Sequence, residues 1–360
     1  MAIQKLKDLL VKYEKYLSPG AMLLGFVVDS LTLTRADVWL DNLILLSYLL
    51  LAGISILLLN AHAAGRVQRI SRLIVLLPLA MQFAFGGLFS GFVVLYSRSA
   101  SLAASWPFIA IMAALLIGNE YFRNRYRRLA FQIGIYFLAI FSYLTFAVPV
   151  VLNTIGQLIF LLSGLLSLLV IYFIVRAINA FAPEQIQPFK RTILSAVLIV
   201  FAGFNFLYFA NIIPPIPLAL KDMFVAHQVE HLDSGDFLVT YEKPKWYHFF
   251  KDFNPTYHRF GNEPIFVFSA IYAPTDLRTD IIHEWQFFDE KNSHWVTASR
   301  LQYAIFGGRQ QGFRGFSFKS NVQPGKWRVT VQTKSGQILG RIKFKVIQSS
   351  LPTEVITEPK

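Results

Sequence analysis

The chain has 360 residues, of which 54% are hydrophobic, with a mean hydropathy of +0.47 and a formal net charge of +13. This composition is too apolar for a water-soluble globule of that length. From residue 221 onward, 18 basic and 14 acidic residues leave a net charge of +4, and the first 220 residues carry the remaining +9. The basic excess is therefore typical of loops at a membrane face, not of a nucleic-acid-binding protein. Cysteine is absent, which excludes disulfides, Cys-ligated metals and a thiol nucleophile.

Apolar stretches dominate residues 16–213. A helix needs about 20 largely apolar residues to cross a bilayer, and residues 1–15 lack the apolar core of a cleaved signal peptide. We therefore expect a cytoplasmic segment at 1–15 and a transmembrane domain at 16–213. The seven predicted helices of this bundle are Tyr16–Leu33, Leu40–Asn60, Leu73–Tyr96, Leu102–Gly118, Leu129–Leu152, Leu158–Val175 and Thr192–Ile213.

The loops between these helices alternate in positive charge. The odd-numbered loops contain two Lys or Arg residues, whereas the N-terminal segment and the even-numbered loops contain 14. Cytoplasmic loops carry the Lys and Arg excess, so the N-terminus is predicted to be cytoplasmic. Seven crossings then place the C-terminal half outside, which makes the chain a multi-pass protein of the inner (plasma) membrane with a periplasmic or extracellular domain.

Few polar side chains fall within the predicted spans. Asp29 lies about four residues from the outer end of the first span, where pairing with Arg35 or helix capping is the structural interpretation and substrate or ion contact is the alternative. Asn205 in the seventh span is a candidate for a hydrogen bond between helices. Because no chain of Asp, Glu or His crosses the bundle, the sequence disfavours a proton-coupled pump.

The pattern changes after residue 213. A proline-rich spacer at 214–220 is followed by short alternating segments at 221–349, which predict an all-β, antiparallel, immunoglobulin-like sandwich. Residues 243–260 are predicted to form a long aromatic loop that covers a sheet edge or touches lipid, and residues 350–360 a flexible tail. The predicted strands are Val225–Glu230, Asp236–Tyr241, Pro264–Tyr272, Ile281–Asp289, Trp295–Ile305, Arg314–Lys319, Trp327–Thr333 and Gly340–Val346, and the side chains expected to face one core are Trp327, Val329, Val331, Ile342, Phe344 and Val346.

Two groups of residues in this domain are candidates for binding a ligand or partner. Arg309 and Arg314 lie in a glycine-rich segment, where they can bind an acidic group or pair within the domain. His283, Trp285 and Trp295 form either a hydrogen-bonded aromatic core or, through the two tryptophans, a platform for carbohydrate.

The spacing His227-x-x-x-His231 around Glu230 matches that of inverted zinc peptidases. On a strand, however, residues four positions apart are about 13 Å apart and cannot share one zinc. No metal site, cofactor or catalytic residue is therefore assigned.

Several motifs together resemble one bacterial family. They are Gly25-Phe-Val-Val-Asp29, Ile213-Pro-Pro-Ile-Pro-Leu-Ala-Leu-Lys, Phe268-Ser-Ala-Ile-Tyr-Ala-Pro-Thr, Ile282-His-Glu-Trp-Gln, Gly307-Gly-Arg-x-x-Gly-x-Arg and Pro324-Gly-Lys-Trp-Arg-Val. This set is similar to multi-pass membrane proteins with a C-terminal domain of unknown function 2914, along the whole chain. The resemblance implies no activity, and it adds weight to Asp29, His283, Arg309 and Arg314 without giving them a role.

Three functions remain open at this point. The leading hypothesis is a non-enzymatic envelope protein whose outer sandwich binds a glycan, a lipid-linked precursor or a protein partner, with membrane lipids around its helices and no nucleic acid. The first alternative is a carrier or membrane-embedded transferase for a lipid-linked substrate. The second is an assembly or signalling subunit of a membrane complex, which the short cytoplasmic loops disfavour.

Overall fold

The computed structural model describes residues 25–33, 38–67, 74, 76–99, 102–122, 128–215, 217–233, 236–244, 253–274, 277–307, 312–351 and 353–360. The chain divides into two compact units, and the main boundary lies between Ile213 and Pro214. The first unit is helical and the second is all-β.

Helix occupies part of each of the seven predicted spans. The helices are α1 (25–32), α2 (Trp39–Ala63), α3 (Leu77–Ser99), α4 (Leu102–Tyr121), α5 (Leu129–Leu152), α6 (Gln157–Phe181), the single turn α7 (Pro183–Ile186) and, after a 3-10 turn at Gln187–Phe189, α8 (Lys190–Phe209). Within the described residues, five helical stretches are long and apolar enough to cross a membrane: α2, α3, α5, α6, and Pro183–Phe209, which combines α7 and α8. Helix α8 ends four residues before the predicted span does, and Asn211 there adopts a left-handed φ of +57°.

Helices α3 and α5 form the interior of the helical unit. Two thirds of the most apolar window of each is buried, against 28% for α6 and 17% for Pro183–Phe209. The outer helices instead expose large apolar side chains, among them Leu158, Ile199 and Phe206, each more than two thirds exposed. A water-soluble bundle would place such side chains inward, so this distribution is the one expected of helices surrounded by lipid.

Small residues and polar bridges set the spacing between helices. A Cβ atom on Gly87 of α3 would lie 2.6 Å from the ring of Tyr48 on α2, so the close approach of these helices requires glycine there. The amide of Asn60 on α2 donates to Gln132 Oε1 on α5 at 3.0 Å. Both contacts connect α2 to the interior helices.

The described residues of the β unit form three sheets. Its strands are β1 (Ala219–Ala226), β2 (Gln228–His231), β3 (Phe237–Glu242), β4 (Thr256–Phe260), β5 (Ile265–Tyr272), β6 (Arg278–Asp289), β7 (His294–Phe306), β8 (Phe313–Lys319), β9 (Gly325–Thr333), β10 (Ile338–Ser349) and β11 (Val355–Pro359). The central sheet has the order β1-β5-β8, the five-stranded sheet β4-β10-β9-β6-β7 and the short sheet β11-β3-β2. All pairs are antiparallel except β4 and β10, which run parallel.

The central sheet is covered on both faces. One face packs on the five-stranded sheet through a core that includes Val267, Trp285 and Phe344. The other packs on the short sheet through a core that includes Phe268 and Val239. Strand β5 is consequently buried along nearly its whole length, which explains why its sequence is a continuous apolar run and not an alternating one. The residues predicted to share one core on β9 and β10 are all buried, as expected.

Several features of this unit differ from the prediction. Strand β1 begins at Ala219, inside the predicted spacer, and ends at Ala226, so the predicted strand Val225–Glu230 is divided between β1 and β2. A two-sheet immunoglobulin-like sandwich has no counterpart to the third sheet, which adds β11, β3 and β2 as a further layer. Strand β4 lies inside the predicted aromatic loop, and Phe253 beside it packs against both cores. Strand β11 lies within the segment predicted to be a flexible tail and pairs with β3 from Val355 to Pro359. An alternating pattern of only five residues is too short to distinguish a strand from a polar tail.

Candidate functional site

The predicted site residue His283 lies in a buried polar network between the central and five-stranded sheets. Its Nε2 atom is 3.0 Å from Ser269 Oγ and 3.1 Å from the Tyr303 hydroxyl, and its Nδ1 atom is 2.8 Å from Ser317 Oγ. Trp285 Nε1 donates to the same Ser317 oxygen at 2.9 Å. Burial lowers the pKa of His283 to about 3, so the imidazole is neutral at physiological pH.

This network has the Ser–His contact of a nucleophile and its base, but it is closed. His283, Trp285 and Ser269 have no exposed surface, so a substrate has no access to them in this structure. The structure therefore places His283 and Trp285 in the hydrogen-bonded aromatic core that the sequence offered as one of two interpretations.

Trp295 lies on the opposite face of the five-stranded sheet from Trp285. It pairs with Phe288 across the β6–β7 ladder, three residues beyond Trp285 and therefore with opposite orientation. The Trp295 ring is half-buried, its centroid lies 5.2 Å from that of Phe288, and the Arg328 guanidinium lies 4.4 Å above it. The two tryptophans do not form one platform, and Trp295 alone borders an open face.

Arg314 lines an open groove of about 600 Å³ between the central and short sheets. Its guanidinium is nearly buried and binds Asp236 Oδ1 at 2.5 Å, through an Asp236 side chain that is 45% exposed. Lys221, Asp222 and Lys360 also line the groove. Arg314 thus pairs within the domain, as one of the two sequence interpretations expected, and does so at a cavity lined by further charges of both signs. Arg309, its predicted companion, lies outside the described residues.

A second polar cluster was not predicted. Glu242 on β3 is 4% exposed, and its carboxylate accepts hydrogen bonds from Asn254 Nδ2 at 2.8 Å, the His258 backbone N–H at 2.6 Å and His258 Nδ1 at 2.9 Å. His227 reaches Glu242 Oε1 with Nε2 at 3.3 Å and Glu263 Oε1 with Nδ1 at 2.9 Å. Because both ring nitrogens face carboxylates, only the protonated imidazole satisfies both contacts.

The pKa values of this cluster shift accordingly. Burial acts to lower the pKa of His227, but hydrogen bonds and charge from Glu242 and Glu263 outweigh it and raise the pKa above its usual value. Burial acts to raise the pKa of Glu242, but its hydrogen bonds with His227 and His258 outweigh it and hold the pKa below its usual value. The cluster is a charged clasp that joins β3, β4 and the β4–β5 turn.

The two histidines of the zinc-peptidase spacing belong to different surroundings. Gln228–His231 is strand β2, and His227 lies between it and β1, where one strand, Val225–Glu230, was predicted. The His231 ring packs edge-on against Phe237, whereas His227 stacks on Tyr257. Among the described residues, no group of three or more His, Cys, Asp or Glu is arranged to hold a metal ion.

The two predicted intramembrane polar residues lie on α8 and α1. The Asn205 side-chain amide donates to the Phe201 carbonyl one turn earlier at 2.8 Å, so this bond lies within α8 instead of joining two helices. Asp29 is half-buried in α1, and Arg98 donates to the neighbouring Ser30 carbonyl at 2.7 Å. The expected partner Arg35 lies outside the described residues.

These features define a class of protein: a set of helices able to cross a membrane, followed by an all-β domain. Residues 278–346 match the family model described as Protein of unknown function (DUF2914), so the chain carries a domain of that family from β6 to the middle of β10. The match contains the motifs that begin at Ile282, Gly307 and Pro324, whereas the resembling motifs nearer the N-terminus lie outside it.

The other comparisons add little. No curated protein matches the chain. Among solved structures, the alkylpurine DNA glycosylase AlkC of Pseudomonas fluorescens, bound to DNA containing an abasic site analog, shares 9% identity over 87% of this chain and 99% of that chain, with a TM-score of 0.23. A score this low supports no inference about this chain.

Proposed function

We propose that the chain is a multi-pass protein of the inner (plasma) membrane that crosses seven times, with its N-terminus in the cytoplasm and its β unit outside. The observation that carries this proposal is the alternation of Lys and Arg between loops, 14 on one side and two on the other, around spans that contain helix where described. The large apolar side chains exposed on α6 and α8 support it further, because lipid is the solvent that tolerates them.

The β unit acts in this proposal as a non-enzymatic binding module for a glycan, a lipid-linked precursor or a protein partner. The five-stranded sheet packed on the central sheet is its immunoglobulin-like sandwich, and the short sheet is an addition. Two open features of this unit support binding: the groove beside Arg314 and the half-buried Trp295 with its neighbouring arginine. The two Ser–His contacts described above, by contrast, are buried and closed to a substrate.

Cysteine labelling tests the orientation directly, because the native chain contains no cysteine. Lys334 in the β9–β10 turn has a 74% exposed side chain, so Lys334→Cys gives a reactive reporter. A membrane-impermeant maleimide is expected to label Lys334→Cys in intact spheroplasts and to label Asn124→Cys, in the fourth loop, only after lysis. Labelling of Asn124→Cys alone in intact spheroplasts would reverse the orientation and refute the proposal.

Asp29 separates the binding module from the carrier or transferase. Asp29→Asn removes the charge and keeps the shape of a half-buried side chain in α1. A binding module is expected to retain ligand binding, measured on the purified full chain in detergent, with Ser30→Ala as a neighbouring control. Loss of this binding in Asp29→Asn, at a normal protein level and with an intact β unit, would favour the carrier or transferase.

A further inference from the structure

The outer face of the five-stranded sheet carries a dense set of cations. Strand alternation places the side chains of Trp285, Trp327 and Phe344 in the core, and those of their immediate neighbours outward. We call this outward surface the basic face and define its cations as Arg300 on β7, Lys326 and Arg328 on β9, and Arg341, Lys343 and Lys345 on β10.

The strand register sets like charges directly opposite each other on this face. In the β9–β10 ladder, Lys326 pairs with Lys345 and Arg328 pairs with Lys343. Like charges at directly opposed positions destabilise a sheet. A sheet that carries two such pairs side by side has a surface better suited to a bound anion than to water alone.

Acidic residues compensate the basic face at two positions. Glu284 lies on β6, between β7 and β9, and its charge also acts on Arg328. Glu284 binds Arg300 at 2.8 Å, and Glu290 binds Lys326 at 3.0 Å. Among the described residues, Lys343 and Lys345 form no ion pair, and both are exposed. The uncompensated charge therefore lies along β10, beside Arg328.

Arg328 is held in place without using its outer donors. Its Nε atom donates to Gln286 Oε1 at 2.5 Å, and its guanidinium lies over the Trp295 ring. Within the described part of the chain, no group accepts a hydrogen bond from its two Nη atoms. Fixed guanidinium donors of this kind bind a carboxylate or phosphate group through two parallel hydrogen bonds.

Neutral polar and aromatic side chains fill the rest of the basic face. Gln286 and Thr297 lie opposite each other on β6 and β7, joined by a 3.1 Å hydrogen bond, and Phe288 and Trp295 form the next row. From Trp295 to Lys345 this row crosses four strands, roughly 14 Å. Hydroxyl and amide groups beside aromatic rings suit a hydroxyl-rich chain, whereas a lipid surface favours exposed apolar anchors.

We propose that the basic face binds an anionic glycan, a saccharide chain that bears carboxylate or phosphate groups. This inference rests on the extracytoplasmic binding role proposed above and names its ligand class and its surface. Lys343, Lys345 and the free Nη groups of Arg328 bind the anionic groups, and the row of Gln286, Thr297 and Trp295 contacts the neutral part of the sugar chain.

The test measures binding of fluorescent polygalacturonate to the purified full chain in detergent, with neutral dextran of equal length as the comparison probe. The wild type is expected to bind polygalacturonate at least roughly tenfold more tightly than dextran, and added salt is expected to weaken that binding. The variant K326Q/K343Q/K345Q is expected to lose roughly tenfold in affinity. The matched control K243Q/K319Q/K334Q removes the same charge away from the basic face and is expected to change affinity by less than about twofold. Lys343→Glu is a second variant with a single change at an exposed position, so it is expected to fold normally and to weaken the binding of polygalacturonate.

Equal binding of the two triple variants, or equal affinity of the wild type for dextran and polygalacturonate, would overturn the proposal. Binding only to phosphatidylglycerol vesicles would overturn it in favour of a lipid surface. Labelling at Lys334→Cys in spheroplasts separates the two failures. A cytoplasmic β unit refutes the proposed function itself, whereas an outside unit that ignores polygalacturonate refutes only the assignment of the basic face.

Discussion

The charged clasp around Glu242 gives a sharp test of what holds the β unit together. Its carboxylate accepts four hydrogen bonds: His227 and the His258 backbone N–H bind Oε1, and Asn254 and the His258 ring bind Oε2. Glu242→Gln keeps the shape but turns one oxygen into an amide donor. Whichever way the amide is turned, two of the four donors then face another donor.

The cost follows from those two donors. A buried donor without an acceptor costs about 1–3 kcal/mol, so Glu242→Gln is expected to destabilise the β unit by about 3 kcal/mol after local adjustment. For a domain of this size, that loss lowers the unfolding temperature by about 10 °C. Tryptophan fluorescence of the full chain in detergent measures it at pH 6, because Trp285 and Trp327 lie in the core. Glu290→Gln, at an exposed ion pair, is the control and is expected to cost less than about 0.5 kcal/mol.

The pH dependence follows from the directions of the two pKa shifts. The raised pKa of His227 adds stability that is complete below its ordinary value of 6.5 and is lost as the pH rises through the raised pKa. The lowered pKa of Glu242 adds stability that is complete above its ordinary value of 4.5 and is lost as the pH falls through the lowered pKa. The clasp therefore stabilises most between pH 4.5 and 6.5. An unfolding temperature for Glu242→Gln that matches the wild type at pH 6, or a wild type that gains stability from pH 6.5 to 8.5, would refute this reasoning.

Two further substitutions have matched controls in the same unit. Ser317→Ala removes the shared oxygen of the buried network and is expected to cost about 2 kcal/mol by thermal unfolding, whereas Ser299→Ala removes a buried hydroxyl that has no partner among the described residues and is expected to cost nothing. Gly87→Ala is expected to lower the unfolding temperature of the helical unit in detergent, because the new Cβ would meet the Tyr48 ring, at a cost of about 1–3 kcal/mol. Gly203→Ala, where a Cβ meets nothing within 4 Å, is the control and is expected to leave the unfolding temperature unchanged or to raise it. Circular dichroism measures the unfolding of both variants.

Local patterns in the sequence were sufficient to predict most elements. Strands β9 and β10 alternate because one face is core and the other solvent, so their buried residues could be identified individually. Strand β5 could be recognised only as an apolar run, because both of its faces are buried. The third sheet stayed unpredicted for the same reason: a continuous apolar strand does not show how many layers cover it.

Strand register separates the two tryptophans that the sequence offered as one platform. Trp285 and Trp295 lie on adjacent strands, and the platform interpretation required their side chains to share a face. The pairing of Trp295 with Phe288, an odd number of residues from Trp285, places them on opposite faces. The clasp could not be predicted from the sequence either, because its members lie on separate strands and turns. Glu242 carries no local motif that identifies His227 or His258 as its partner.

The basic face combines a local pattern with a nonlocal one. Alternation with buried Trp327 and Phe344 indicates from sequence alone that Lys326, Lys343 and Lys345 point away from the core. Only the register shows that Lys326 faces Lys345 across the ladder. Such an opposition lowers the stability of the free sheet, and a bound anion would reverse the sign of that contribution. An anionic ligand is therefore expected to raise the unfolding temperature of the β unit, and to do so less in K326Q/K343Q/K345Q, whose sheet no longer carries the repulsion that the ligand relieves.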